Sequence, residues 1–170
     1  MTDRRRLIVM RHAKTEPFAA SDHGRRLTER GAADAADAGA HLTTLGLAPD
    51  HAVVSTAERP RLTWAAVRAA SGSTGTESFE AGAYHGDAET ALDTLRQVPE
   101  TVRTVIWIGH NPTASDLCHL LDDGTGDPEA VSGMLSGFPT GAMVVFEVDA
   151  AWCDLGFEDG RVADFYVARS

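Results

Sequence analysis

Residue types that perform chemistry follow three short apolar segments of this sequence. The apolar segments are 7–10, 52–54 and 105–108, and the residues that follow them include Arg11, His12, Arg59, His110 and Asn111. A neutral imidazole can act as a nucleophile, and an arginine side chain binds the oxygens of an anion as a planar, permanently charged fork. The pattern therefore predicts a site that combines histidine with positive charge, and by itself it names no reaction.

The three apolar segments are typical of buried strands in a parallel sheet, because they are continuous and rich in branched residues. Helices are predicted at 28–46, 57–70, 87–98, 111–121 and 128–135, and two final strands at 142–148 and 162–167, with a hairpin turn at Asp159-Gly160. Strands that alternate with helices indicate an α/β fold, in which helices cover both faces of a mostly parallel sheet. Ligands of such folds bind at the carboxyl ends of the strands. We therefore expect the three polar segments to converge on one edge of the sheet.

The composition is that of an ordinary globular chain, and 170 residues fit a single domain spanning 1–170. The formal charge of -10 disfavours nucleic acid or an anionic membrane as a partner, so a phosphate site has to be a local positive pocket. No apolar stretch reaches the ~20 residues of a membrane span, and segment 7–10 is too short for a signal peptide. Cys118 and Cys153 are far apart and are predicted to be reduced thiols, with a single disulfide left as an alternative. These features predict a cytoplasmic protein.

Four segments carry a specific resemblance. The segment Leu7 to Ala13 resembles the Arg-His-Gly or Arg-His-Ala signature of the histidine phosphatase superfamily, which includes the phosphoglycerate mutases. The other three segments are 22–28 followed by Gly31, 55–63, and 105–112 with its final Gly-His-Asn-Pro. The chain departs from the family pattern at Arg26 and Thr56, where the family has proline, and at Pro60, where it has alanine. The resemblance is to the short SixA-type phosphatases, named for a bacterial phosphohistidine phosphatase, and it implies a three-layer α/β/α sandwich like that of phosphoglycerate mutase.

The resemblance also implies roles for the main candidate residues. His12 would attack the phosphoryl group and form a phosphohistidine intermediate, which water then hydrolyses. Arg11, Arg59 and His110 would hold the phosphoryl oxygens, and Asn111 would place the positive end of the following helix nearby. Such a site implies neither a metal nor a cofactor, because two arginines and a helix end supply the positive charge.

Several further residues are candidates for binding the substrate or for protonating the leaving group. By its position in segment 22–28, Arg25 is predicted to bind phosphate, with Arg26 as the alternative, and Asp22 is predicted to orient it or to act as an acid. The resemblance makes Glu80 the nearest candidate for the general acid of the larger family members, with Asp22, Asp87 and Glu89 as alternatives. It also implies that His85 lines the pocket, as this place does in the short members. The remaining histidines are predicted to be structural or exposed; they are His23, His41, His51 and His119.

The leading hypothesis is a metal-independent phosphatase that hydrolyses a phosphomonoester or a phosphohistidine. A mutase-type phosphotransferase is the enzymatic alternative, although the chain lacks the insertions of the longer mutases. A non-catalytic phospho-binding module is the third, and the presence of a nucleophile argues against it. The substrate is predicted to be either a phosphorylated small molecule or a phosphohistidine protein, and the short loops favour the open pocket that a protein needs.

Overall fold

A six-stranded sheet forms the centre of the computed structural model, which describes residues 4–169. The strands are β1 (Arg5–Arg11), β2 (His51–Ser55), β3 (Thr76–Glu80), β4 (Thr104–Gly109), β5 (Ala142–Val148) and β6 (Gly160–Val167). Their order in the sheet is β3-β2-β4-β1-β5-β6. The first four strands pair in parallel, whereas β5 and β6 pair antiparallel at one side. The strands β2, β4 and β1 are neighbours, so their carboxyl ends lie side by side.

Helices cover both faces of this sheet. They are α1 (Glu29–Thr44), α2 (Glu58–Ser71), α3 (Gly82–His85), α4 (Ala88–Arg96), α5 (Thr113–Leu121) and α6 (Pro128–Ser136). One apolar core joins the sheet to α1 and α2, and a second core on the opposite face joins it to α3, α4, α5 and α6. This arrangement confirms the predicted α/β fold with a mostly parallel sheet. No helix within residues 4–169 has the length and apolar character needed to cross a membrane.

The first turn of α1 packs directly against the segment that follows β1. Thr28 caps the helix by accepting a hydrogen bond from the Gly31 amide (2.9 Å), and the Thr28 amide donates to the Lys14 carbonyl (3.0 Å). A Cβ atom at Gly31 would lie 2.0 Å from that carbonyl oxygen, so only glycine allows this approach. The helix therefore supports the chain immediately beyond His12.

Three parts of the structure differ from the sequence-based expectations. The strand β3 and the short helix α3 were not predicted, because β3 is an edge strand with mostly exposed or half-exposed residues and α3 has only four residues. The hairpin turn predicted at Asp159-Gly160 is wrong. Residues 149–159 connect β5 to β6 and include a 3-10 turn at Trp152–Asp154. Trp152 is fully buried there and donates from its indole nitrogen to the Val102 carbonyl (2.8 Å), so packing determines the path of this connection.

Candidate active site

The carboxyl ends of β1, β2 and β4 bring together the four main candidate residues. Arg11 ends β1 and His12 follows it, while His110 follows β4. The His12 amide donates to the Gly109 carbonyl (3.0 Å), and the two imidazole rings lie edge to face with centroids 5.3 Å apart. Arg59 enters from the first turn of α2, which begins just after β2. The central strands thus place two histidines and two arginines at one edge of the sheet.

The His12 ring is held in one tautomer by the main chain. Its Nδ1 lies 2.8 Å from the Ala13 carbonyl oxygen, and because a carbonyl only accepts, Nδ1 carries the proton. In the neutral ring the lone pair is then on Nε2. His12 is 5% exposed, and burial, followed by the charges of three nearby arginines, lowers its pKa to about 4 against the raising effect of the Ala13 bond. At neutral pH the ring is uncharged, with Nε2 available as a nucleophile.

Arg59 is held by Asp22, which lies in the irregular segment 16–26 between β1 and α1. The guanidinium group is 5% exposed; Nη1 donates to the Asp22 main-chain carbonyl (2.6 Å), and Nη2 donates to Asp22 Oδ2 (3.1 Å). The other carboxylate oxygen, Oδ1, lies 3.5 Å from Arg25 Nε. Asp22 therefore joins Arg25 and Arg59 in one cluster, and the pKa of this carboxyl is lowered by its hydrogen-bond donors.

Arg11 and Asn111 share one acceptor on the opposite side of the cluster. Arg11 Nη1 and Asn111 Nδ2 both donate to the Phe138 carbonyl, at 3.2 and 2.8 Å. Asn111 Oδ1 also accepts from the Ser115 amide (3.3 Å), so this side chain connects the first turn of α5 with residue 138. Burial lowers the pKa of Arg11, yet a guanidinium group remains charged in proteins.

His110 is held by Ser55, the last residue of β2. His110 Nε2 and Ser55 Oγ are 2.7 Å apart, and Ser55 Oγ also accepts from the Ala57 amide (3.3 Å). When the hydroxyl donates to Nε2, the proton of the neutral ring is on Nδ1, which then is a donor. Burial, with contributions from His12 and Arg59, lowers the pKa of His110 to about 3.

The cluster contains buried nitrogen atoms that make no hydrogen bond. They are Nε of Arg11, Nε of Arg25, Nε of Arg59 and Nδ1 of His110. A buried polar atom without a partner costs free energy, so several of them around one residue indicate a binding site rather than a structural network. Three of them belong to guanidinium groups, and an oxyanion is the ligand that satisfies such donors. Within residues 4–169, no three His, Cys, Asp or Glu side chains come together as potential metal ligands.

Some of the other predicted residues reach this cluster and some do not. Arg25 reaches Asp22, whereas Arg26 is exposed and pairs with Glu58 at 3.7 Å, so Arg25 is the arginine at the site. The side chain of Glu80 lines a separate cavity of about 210 Å³ together with His51, Ser78 and Gln97, and the structure does not bring it to His12. The two further alternatives belong to α4: Asp87 caps it through the Thr90 amide (2.9 Å), and Glu89 is an exposed residue of its first turn.

Tyr84 is a residue of the cluster that the sequence did not indicate. Its hydroxyl donates to Asp22 Oδ2 (2.8 Å), and its ring lies edge to face with His110, with centroids 5.3 Å apart. The predicted neighbour, His85, is exposed and contacts the Tyr84 ring at 4.3 Å. The sequence predicted a role for His85 and contains no local signal that distinguishes it from the adjacent Tyr84. The sequence also indicated no separate role for Ser55, which contacts His110.

The chain is similar to known proteins over almost all of its length. No protein-family profile matches the chain. An uncharacterized protein of Mycobacterium leprae is 30% identical over 165 residues, covering 94% of this chain and 100% of that protein. An uncharacterized protein of Mycobacterium tuberculosis is 32% identical over 162 residues with the same coverage.

Solved structures with the same fold are known. A candidate phosphohistidine phosphatase SixA from Nakamurella multipartitia has a TM-score of 0.87 and 29% identity, with 98% of each chain covered. A second candidate SixA, from Agrobacterium tumefaciens, has a TM-score of 0.76 and 27% identity over 95% of this chain and 97% of that one. The protein histidine phosphatase SixA in complex with tungstate has a TM-score of 0.78 over 95% of this chain and 96% of that one, and at 21% identity it supports the fold alone.

Proposed function

Because the chain belongs to the histidine phosphatase superfamily and to its short SixA-type group, we propose that it is a metal-independent phosphatase with His12 as nucleophile. The proposed reaction is the hydrolysis of a phosphorylated substrate through a covalent phosphohistidine on this chain. The proposed substrate is a protein that carries phosphohistidine, and phosphomonoesters are the wider class.

One observation carries the proposal. The imidazole of His12 is neutral and its Nδ1 donates to the Ala13 carbonyl. Near it, three buried nitrogen atoms make no hydrogen bond: Nε of Arg11, Nε of Arg59 and Nδ1 of His110. A nucleophile needs a free lone pair, and a phosphoryl group needs positive donors for its oxygens in the transition state. A structural histidine would have no need of such donors.

In the first step, Nε2 of His12 attacks the phosphorus atom in line with the bond to the leaving group. The new N–P bond forms while the old P–O or P–N bond breaks, and the leaving group departs with the electron pair of that bond. Arg11, Arg59 and His110 bind the three phosphoryl oxygens, whose charge is spread evenly in a loose transition state. Because these donors already face the site, little reorganisation is needed at the moment of reaction.

In the second step, water attacks the phosphorus of the phosphohistidine from the side that the leaving group has left. The P–N bond breaks, its electron pair returns to Nε2, and inorganic phosphate is released while a proton from the attacking water passes to solvent. His12 is then neutral again, and its Nδ1 proton never has to leave the Ala13 carbonyl. The main chain thus holds the ring in the same tautomer before and after the cycle.

The carboxyl groups near the site favour a substrate whose leaving group needs no proton from the protein. Asp22 is the carboxyl beside Arg59, and its lowered pKa keeps it ionised and therefore unable to donate a proton at neutral pH. Glu80 lines another cavity. An alkoxide leaving group needs a proton from an acid, whereas the imidazole of phosphohistidine departs as a neutral ring once its other nitrogen is protonated. This supports phosphohistidine as the substrate, as does the name of the structural neighbours.

The test is phosphate release from an aryl phosphate in the presence of a metal chelator, with His12→Ala and His41→Ala compared with the wild type. We expect release by the wild type and by His41→Ala, and a loss of at least about 1000-fold in His12→Ala. Rapid quenching with alkaline detergent should trap a phosphoenzyme that is stable in alkali and labile in acid, as a phosphohistidine is. Equal rates for wild type and His12→Ala would refute the proposal.

A panel of phosphorylated compounds then shows which class of substrate the protein hydrolyses. Phosphohistidine protein should be hydrolysed with a higher kcat/KM than sugar phosphates or nucleotides. Binding of phosphate without hydrolysis of any of them would favour a non-catalytic phospho-binding module. Transfer of the phosphoryl group to an added alcohol, in preference to water, would instead indicate a mutase-type phosphotransferase.

A further inference from the structure

Tyr84 reaches the catalytic cluster from a part of the chain that carries none of the predicted phosphate ligands. It lies in α3, a helix of four residues that follows the edge strand β3 in the chain and packs against β2 and β4. Its hydroxyl donates to Asp22 Oδ2 (2.8 Å), and its ring contacts His110, His23 and His85. The hydroxyl is thus at the edge of the site, while the ring packs among three imidazoles.

The carboxylate that Tyr84 holds would otherwise be poorly fixed. Asp22 lies in segment 16–26, and its side chain is 60% exposed. Its Oδ2 atom accepts hydrogen bonds from two donors, the Tyr84 hydroxyl (2.8 Å) and Arg59 Nη2 (3.1 Å). An exposed ion pair alone orders its side chains weakly, because water competes and rotamer entropy is lost. A second donor on the same oxygen restricts the carboxylate to the orientation that meets Arg59.

The orientation of Arg59 in turn determines which of its donors face a phosphoryl group. Asp22 takes one hydrogen on Nη1, through its main-chain carbonyl, and one on Nη2, through Oδ2. A guanidinium group has five donors in a rigid plane, so fixing these two sets the plane and leaves Nε, which has no partner, with a defined direction. An anion held by such a fork gains most when the plane is fixed before it binds.

We propose that Tyr84 is a positioning residue of the phosphoryl site, whose hydroxyl fixes the Asp22 carboxylate and through it the plane of the Arg59 guanidinium. The expected change in kcat/KM rests on the proposed function, whereas the expected change in the vanadate Kd requires only that the site binds an oxyanion. The protonation states agree with it: the Tyr84 hydrogen bond is the largest cause of the lowered pKa of Asp22, and the same bond raises the pKa of Tyr84. At neutral pH the donor is therefore protonated and the acceptor is ionised.

The experiment compares Tyr84→Phe with Tyr166→Phe, which removes the chain's other tyrosine hydroxyl. Tyr166 also donates to an aspartate, Asp37 (2.6 Å), but in the α1–β6 region away from the site. Orthovanadate, an oxyanion that adopts the five-coordinate geometry of phosphoryl transfer, is the binding probe. We expect Tyr84→Phe to raise the vanadate Kd and to lower kcat/KM for an aryl phosphate, each by about fivefold to tenfold, which is the net effect of losing one typical hydrogen bond. Tyr166→Phe should change neither value, and Tyr84→Phe should leave Tm within about 2 °C of the wild type.

A double-variant cycle with Asp22→Asn tests whether Tyr84 acts through Asp22. If it does, adding Tyr84→Phe to Asp22→Asn changes the vanadate Kd by less than about twofold, because the carboxylate to be fixed is already gone. Effects that multiply would overturn the proposal, since Tyr84 would then act independently of Asp22. A Tyr84→Phe variant with wild-type Kd and kcat/KM would also overturn it and reduce Tyr84 to a packing role.

The two proposals fail in distinguishable ways. If the wild type binds vanadate but hydrolyses no phosphorylated substrate, the phosphatase proposal fails and the Kd values still decide the role of Tyr84. If the wild type hydrolyses substrate and Tyr84→Phe behaves like it, only the positioning proposal fails. If the wild type neither binds vanadate nor releases phosphate, both fail together.

Discussion

Two clusters in this chain contain histidine, tyrosine and aspartate but differ in their balance of hydrogen-bond donors and acceptors. In the first, His41 Nε2 pairs with Asp164 Oδ2 (2.8 Å), its ring stacks on Tyr166 at 3.8 Å, and the Tyr166 hydroxyl donates to Asp37 (2.6 Å). In the second, around His12 and His110, the two rings meet edge to face at 5.3 Å, and buried nitrogen atoms of the surrounding arginines lack hydrogen-bond partners.

The difference shows how a site can be distinguished from a structural network that also contains histidine, tyrosine and aspartate. The His41 cluster satisfies its donors with two carboxylates, so nothing further is required to stabilise it. The His12 cluster combines two neutral imidazoles with three arginines and one carboxylate, Asp22, so that donors exceed acceptors and an added anion would satisfy them. Such an imbalance lowers the stability of the folded chain and is tolerated where function depends on it.

The largest expected effect comes from removing a donor of the His12 cluster. Arg59→Ala should lower kcat/KM for an aryl phosphate by about 100-fold to 1000-fold, because a preorganised donor to the transition-state charge is lost. Arg59→Lys should recover little of it, since an ammonium group cannot reproduce the planar fork. Steady-state kinetics measure both. Arg96→Ala, which removes an arginine bound to Asp93 and to the Leu155 carbonyl, is the control and should keep full activity. A loss below about tenfold in Arg59→Ala would contradict the assignment.

The second effect concerns the dependence of stability on pH. The pKa of His12 is lowered from 6.5 to about 4, so the unfolded chain binds more protons than the folded one between these values. Stability is therefore lost as pH falls through this window, by about 2 kcal/mol between pH 7 and pH 5 for this group. Urea unfolding of His12→Gln should show a loss smaller by about that amount. His119→Gln, at an exposed position, should lose as much as the wild type, and an equal loss in His12→Gln would show that His12 is not neutralised by burial.

The third effect separates activity from stability. Arg59→Met should lower hydrolysis as much as Arg59→Ala does and leave the free energy of unfolding unchanged or raised, because a buried charge is replaced by a side chain of similar length. His41→Phe should do the reverse, with full activity and a loss of about 1 kcal/mol from the broken bond to Asp164. Urea unfolding and kinetics on the same samples measure this. A large destabilisation in Arg59→Met would place Arg59 with the structural residues.

The smallest effect is the stabilisation of the folded chain by a bound anion. If phosphate binds with millimolar affinity, about 10 mM of it should raise the wild-type Tm by about 2–4 °C. Arg59→Ala should show no rise, while His41→Phe should show the wild-type rise from a lower starting temperature. Thermal unfolding at constant ionic strength measures these shifts. An equal rise in Arg59→Ala would locate the bound anion elsewhere in the chain.

The sequence predicted the strands that carry the site because those strands are buried on both faces. Residues 7–10 and 105–108 are 0% exposed, and strands buried on both faces have continuous apolar sequences. The edge strand β3 has no such signal, because its only pairing partner is β2 and its residues are largely accessible. The connection between β5 and β6 could not be predicted either, since burial of Trp152 overrides the preference of Asp159-Gly160 for a tight turn.

The site residues that could be predicted are those placed by a buried strand, and the others depend on contacts between distant parts of the chain. Arg11, His12 and His110 could be placed from the sequence because a strand end determines where they lie. Tyr84 could not, because its bond to Asp22 joins residues 62 positions apart through a helix of four residues. The choice between Arg25 and Arg26 depended on ion pairs with Asp22 and Glu58, which no local pattern contains. Glu80 was predicted from the family resemblance, yet it is the last residue of β3 and lines a separate cavity with His51 and Ser78.

The acceptor that orients His12 belongs to the main chain of Ala13, and this has a consequence for how the protein tolerates mutation. A side-chain acceptor could be lost through a single codon change, whereas every amino acid at position 13 would supply the same carbonyl oxygen. A mutation at position 13 can therefore change the orientation of the His12 ring only if it changes the path of the backbone. A saturation library at Ala13 should show limits of side-chain size in this fully buried position, and none of hydrogen-bonding chemistry.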